Sequence, residues 1–168
     1  MLRQQVLNNL KRAIIAAFLT LSVIGIGNGA DLQKGRQALK AKDYQLAYSE
    51  LKPLAEQGNA IAQYNIGRMY SKGHYVPMNL EKALVWYRKS AEQGHEKALN
   101  NLGLAYFLCK GLKQNYQMAY MFFGVAAHLG NERSKKNVGI VAEKLSKKKI
   151  SQAKKMIKAC IAQKIQRV

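Results

Sequence analysis

The sequence predicts an all-α protein, a right-handed α-solenoid of stacked helix–turn–helix hairpins with about seven or eight helices. Three observations predict it. Ala55-Glu56-Gln57-Gly58 returns as Ala91-Glu92-Gln93-Gly94 and, more loosely, as Ala127-His128-Leu129-Gly130, an interval of 36 residues each time. Asn65-Ile66-Gly67, Asn101-Leu102-Gly103 and Asn137-Val138-Gly139 keep the same interval. Apolar residues inside each interval stand three and four apart, which is one face of a helix. A fixed period in the ~20–50 residue range marks a stacked array.

The chain opens with Arg3, Lys11 and Arg12, the apolar run 13–26 and Gly27-Asn28-Gly29-Ala30. A basic start, an apolar middle and small residues before Asp31 read as a secretory signal peptide over residues 1–30, cleaved after Ala30. As a helix the run would span about 21 Å, short of a ~30 Å hydrocarbon core. An uncleaved membrane anchor is the alternative. Export predicts a periplasmic or secreted protein.

Residues 31–168 form the repeat domain, in units of about 31–58, 59–94, 95–130 and 131–164. In each unit Leu54 and Ala55, or Ala83, Leu84 and Tyr87, stripe one helix. Gly58, Gly94 and Gly130 then stop it, because a left-handed residue carries no steric cost only when it is glycine. Asn59, Asn131 and, in their place, His95 suit the N-cap of the next helix, while Asn79 and Asn115 suit the one after. Gly67, Gly103 and Gly139 lie in mid-helix, where glycine costs about 1 kcal/mol relative to alanine. Their recurrence predicts close helix crossings. In the last helix Ile150, Ala153, Ile157, Cys160 and Ile161 form a stripe that would seal the end of the array.

The pattern Gln63, Ile66, Gly67, Tyr70, Gly73, Ala83, Trp86, Tyr87, Ala91, Gly94, echoed by Leu102, Gly103, Tyr106, Gly111, Ala119, Phe122, Phe123 and Gly130, resembles the Sel-one-like repeat, a relative of the tetratricopeptide repeat. The resemblance implies a binding scaffold. Cysteine-rich secreted relatives carry one disulfide per repeat. This chain has only Cys109 and Cys160, so a bridge between them or two free, at least half-buried thiols are the alternatives.

Composition adds charge. The net charge is +19, from 28 Lys and Arg against 9 Asp and Glu. Twelve of the cations fall in residues 131–168, facing only Glu132 and Glu143. Lys147, Lys148 and Lys149 crowd the first turn of the last helix, where cations oppose the helix dipole, and Lys154 and Lys158 continue their side. These five are candidate contacts for an anionic envelope surface. Asn65, Asn101 and Asn137 are poor mid-helix residues and are expected to hydrogen-bond a neighbouring loop or to line a peptide groove, with Tyr75 as a further contact.

No residues converge on catalysis. His74, His95 and His128 lack metal-ligand spacing, and G-x-S-x-G and S-x-x-K are absent. The expectation is therefore a protein that is not an enzyme, takes no cofactor or metal, binds no nucleic acid and holds a peptide or partner protein on a concave face lined by the first helices. The rivals are an envelope hydrolase or penicillin-binding protein, and an exported effector.

Overall fold

The computed structural model describes residues 32–165, so the signal-peptide expectation lies outside the described residues. Eight helices and no strands are found among those described: α1 over 32–41, α2 (Tyr44–Glu56), α3 (Ala60–Lys72), α4 (Leu80–Glu92), α5 (Glu96–Phe107), α6 (Tyr116–His128), α7 (Glu132–Ala142) and α8 (Lys147–Ile165). The described residues divide into two compact units, one up to Glu50 and one from Leu51 on. In the first, Asp43 accepts from Leu46 N at 3.0 Å and so starts α2, and Lys34 pairs with Glu50.

The second unit carries the α-solenoid. Its repetition reaches individual backbone hydrogen bonds. Asn59 N donates to Leu54 O, His95 N to Ser90 O and Asn131 N to Ala126 O, each 36 residues after the last. Asn79 N→Tyr70 O (2.9 Å) returns as Asn115 N→Tyr106 O (3.0 Å). The predicted caps form: Asn59, Asn79, Asn115 and Asn131 accept from Ala62, Lys82, Met118 and Ser134 N at 2.8–3.0 Å. Gly58, Gly94 and Gly130 take φ of 100°, 78° and 91°. Strict register pairs Gly73 with Cys109 and Tyr75 with Gly111, and all four are left-handed, at φ 68°, 55°, 66° and 72°. Each loop thus needs two such residues, of which only one is glycine.

Two of the three predicted crossings exist. A Cβ on Gly67 would lie 2.8 Å from the Tyr87 ring, and one on Gly103 would lie 2.6 Å from the Phe123 ring, so each glycine lets the second helix of its own hairpin close in. Gly139 meets nothing within 4 Å. The reason is the last loop. Two periods beyond Leu80 is position 152, yet α8 begins at Lys147, and α7 and α8 each pack on α6 rather than tightly on one another. Instead Gly124 on α6 admits Ile157 of α8. The sealing stripe is narrower than expected: Ala153 is fully buried and Ile150 and Ile157 pack beside it, but Cys160 is exposed. Both cysteines are free and exposed, so neither the bridge nor the half-buried pair occurs.

Candidate functional site

The repeats are joined by polar contacts as well as apolar ones. Gln93 Nε2 on the turn after α4 donates to Gly58 O and to Gln63 Oε1, both at 2.8 Å. Gln63 Nε2 in turn donates to Ala55 O at 3.1 Å, and Ser90 Oγ to Ala60 O at 2.6 Å. One period on, these three positions are Leu99, Leu129 and Ala126, which pack together as an apolar cluster. The same joint is therefore built once with hydrogen bonds and once with hydrocarbon. That exchange, visible as Gln63 against Leu99, was the signal that could have located the clasp.

The three register asparagines do not make the expected bonds to a neighbouring loop. Asn65, 7 % exposed, donates to Ile61 O on its own helix at 2.9 Å. Asn101 hydrogen-bonds the Tyr87 side chain, and Asn137 donates to Asn100 Oδ1 at 3.3 Å. None bonds a loop, because a mid-helix amide reaches a preceding-turn carbonyl or the packed neighbouring helix before it reaches a helix end. Asn100, which sequence reasoning passed over, also accepts from Ser134 Oγ at 2.9 Å. It ties α5 to α7 in the interior.

Between those two helices lies a shallow, open apolar recess of about 80 Å³, lined by Leu104, Phe107 and Leu108 of α5 and its end, Phe123 of α6, and Ile140 and Val141 of α7, with Asn137 at its edge. Leu108 and Ile140 are 47 % and 49 % exposed. Tyr75 is exposed in the α3–α4 loop. Lys147, Lys148, Lys149, Lys154 and Lys158 are all exposed on α8, and Ser146 Oγ accepts from Lys149 N at 3.4 Å as its cap. Recess and lysines thus sit on different elements.

Burial shifts three titrating groups. Tyr87 and Tyr64 are raised by loss of solvent, the first partly offset by hydrogen bonds from Ser71 and Asn101. The His95 ring, stacked on Tyr64 with centroids 4.7 Å apart, is held below the ordinary histidine range by burial, with the Glu96 carboxylate pulling the other way. Its Nδ1 caps α5 by accepting from Ala98 N at 3.4 Å, which only the neutral ring can do. The unfolded chain takes up a proton more readily than the folded one. The cap's contribution is therefore complete above the unfolded pKa of ~6.5 and is lost progressively as pH falls below it. His95→Asn, the residue found at positions 59 and 131, should keep the cap and remove this acid sensitivity. His95→Ala should cost about 0.5–2 kcal/mol at neutral pH. Thermal melts of the three chains between about pH 5 and 8 check both; an equal acid-side slope in His95→Asn and the parent would show that another group titrates.

Among the described residues no group of three or more His, Cys, Asp or Glu could hold a metal ion, and no helix is long and apolar enough to cross a membrane.

Stacked hairpins with a regular inter-repeat joint define a helical-repeat protein. The family model of the Sel1 repeat matches residues 60–95 and 96–131, so two Sel1-type repeats lie in that span. Its fold is similar to that of a protective antigen of uropathogenic Escherichia coli strains that displays an SLR fold. The TM-score is 0.75 at 26 % identity, over 80 % of this chain and 30 % of the other. It is also similar to a Sel1 repeat protein from Oxalobacter formigenes, with TM-score 0.64 at 32 % identity over 76 % of this chain and 55 % of the other. The chain thus spans from under a third to about half of these relatives' lengths. None of the curated proteins matches it.

Proposed function

We propose that this chain is an exported, non-catalytic scaffold that holds a peptide or partner protein on the face formed by α3, α5 and α7. Sel1 repeats typically serve as protein–protein interaction scaffolds. The observation that carries the reading is the recess between α5 and α7. It leaves Leu108 and Ile140 half exposed while the strongest polar groups nearby, Asn100, Ser134 and Asn137, are occupied in joining repeats. Export rests on the leader-like residues 1–30 and is in keeping with the relative that is a protective antigen.

The test is a photo-reactive residue at Leu108, with one at Val85 of α4, also exposed, as control. A partner trapped from Leu108 and not from Val85 supports the reading; trapping from Val85 alone moves the binding surface elsewhere. Cell fractionation tests export, and a chain found only in the cytoplasm at full length sinks it. Saturable β-lactam turnover by the purified protein would replace the scaffold with the hydrolase.

A second contact is proposed for α8, whose exposed lysines suit an anionic surface. Attraction of this kind is screened over ~8 Å at physiological ionic strength. Changing Lys147, Lys148, Lys149, Lys154 and Lys158 to glutamine should abolish salt-dependent binding to anionic vesicles with helix content unchanged. Undiminished vesicle binding by that variant would leave α8 as a soluble cap.

A further inference from the structure

We infer that the occupant of the α3–α5–α7 face is an acidic segment carrying one bulky apolar side chain, whose end seats in the recess between α5 and α7. The inference rests on the scaffold reading and names the chemistry of its partner.

The recess sets the size of what enters. Its enclosed space of about 80 Å³ is far below the ~300–1,000 Å³ typical of small-molecule sites. It has room for the end of one apolar side chain and no more. Its walls are hydrocarbon, and Asn137 is already engaged with Asn100.

The surroundings set the charge. Asn137, Ile140 and Val141 line the recess, and residues three and four apart on a helix share a face. That places Arg133, Lys136 and Lys144, all exposed, along the same stripe of α7 and just past its end. Lys97 on α5 and Arg68 on α3 are exposed too. The Arg133 charge is felt at Tyr64 on α3, which brings the two outer helices within electrostatic reach of one another. Against these cations α3, α5 and α7 carry two carboxylates, and Glu143 follows α7 directly. Glu96 and Glu132 both lie in first turns, and Glu132 is paired with Lys135.

Charge also excludes the chain's own candidates. Residues 1–30 contain three cations and no acidic side chain, residues 163–168 contain Lys164 and Arg167 and no acidic side chain, and a second copy brings +19, or 19 − 3 = +16 without its first 30 residues. Each would be repelled by the rim it had to cross. A foreign acidic segment is attracted, and its apolar side chain covers what a bare polyanion would leave wet.

The experiment titrates the full chain against a fluorescent glutamate-rich peptide containing one tryptophan, read by anisotropy. Changing the tryptophan to glycine, or every glutamate to glutamine, should each weaken binding about tenfold, and the second change should also remove the salt dependence. Ile140→Gln and Leu108→Gln, at half-exposed positions that the fold does not need, should each weaken it by about the same factor. The triple variant Arg133→Gln, Lys136→Gln, Lys144→Gln should flatten the salt dependence, and Lys154→Gln with Lys158→Gln should change neither. The inference is overturned if the tryptophan-free peptide or single-stranded DNA binds as well as the parent peptide. It is equally overturned if only the α8 variants matter or if no peptide binds. A partner trapped from Leu108 despite any of these results would leave the scaffold reading standing and this one fallen.

Discussion

Phe123→Ala should lower the unfolding free energy by about 3–5 kcal/mol, the range for deleting a fully buried aromatic ring. The side chain is 0 % exposed and is the largest of the fully buried ones. It packs with Ala119, Tyr120, Val141 and Ala153, so it touches material from α6, α7 and α8 together. It also covers Gly103 of α5 and floors the recess. Four helices therefore lose a common neighbour, and backbone ties such as Asn131 N→Ala126 O limit how far they can collapse into the void. Phe122, one residue earlier, is partly buried and stacks on Tyr106 with centroids 5.6 Å apart. Phe122→Ala should cost much less. Urea denaturation of both variants checks the contrast, and a loss below about 1 kcal/mol at Phe123 would mean that the last hairpins repack freely.

The regular part of this fold was open to reading because its signals are local. A cap needs its acceptor three residues before the donor, and a left-handed stop needs glycine at one position. Both repeat with the chain, which is why Asn79, Asn115, Gly94 and even the substitute His95 were placed from sequence. What lies opposite a residue in space is another matter. Gly139 keeps the period of Gly67 and Gly103, but its partner ring was lost when the last loop shortened and α8 moved to α6. Nothing within positions 137–139 records that. Gly124 stands alone in its register, with Arg88 one period earlier, so periodicity had no reason to mark the contact with Ile157. The candidate site was the least legible part. Asn65, Asn101 and Asn137 share a register but not a role, because each amide takes whichever acceptor its own surroundings offer. The recess needs residues from three helices, and no single stretch of sequence contains it.

Two of the three register glycines, Gly103 and Gly139, give the largest opposed pair of effects. Gly103→Leu should destabilise by roughly 1–3 kcal/mol or more through overpacking. Its first side-chain carbon already falls 2.6 Å from Phe123, closer than carbon atoms can approach, and the ring has nowhere to turn because it is fully buried. Gly139 has the same register in the repeat, but a Cβ added there would meet nothing within 4 Å. There the ordinary cost of glycine in a helix is unrelieved by any close approach, so Gly139→Ala should stabilise by about 0.5–1 kcal/mol. The two substitutions differ in sign only because one hairpin is closed by an aromatic ring and the other is not. Denaturant midpoints measured at unchanged slope decide it. A loss of stability in Gly139→Ala would mean that α7 and α8 close on one another in solution, restoring the third crossing that the period predicts.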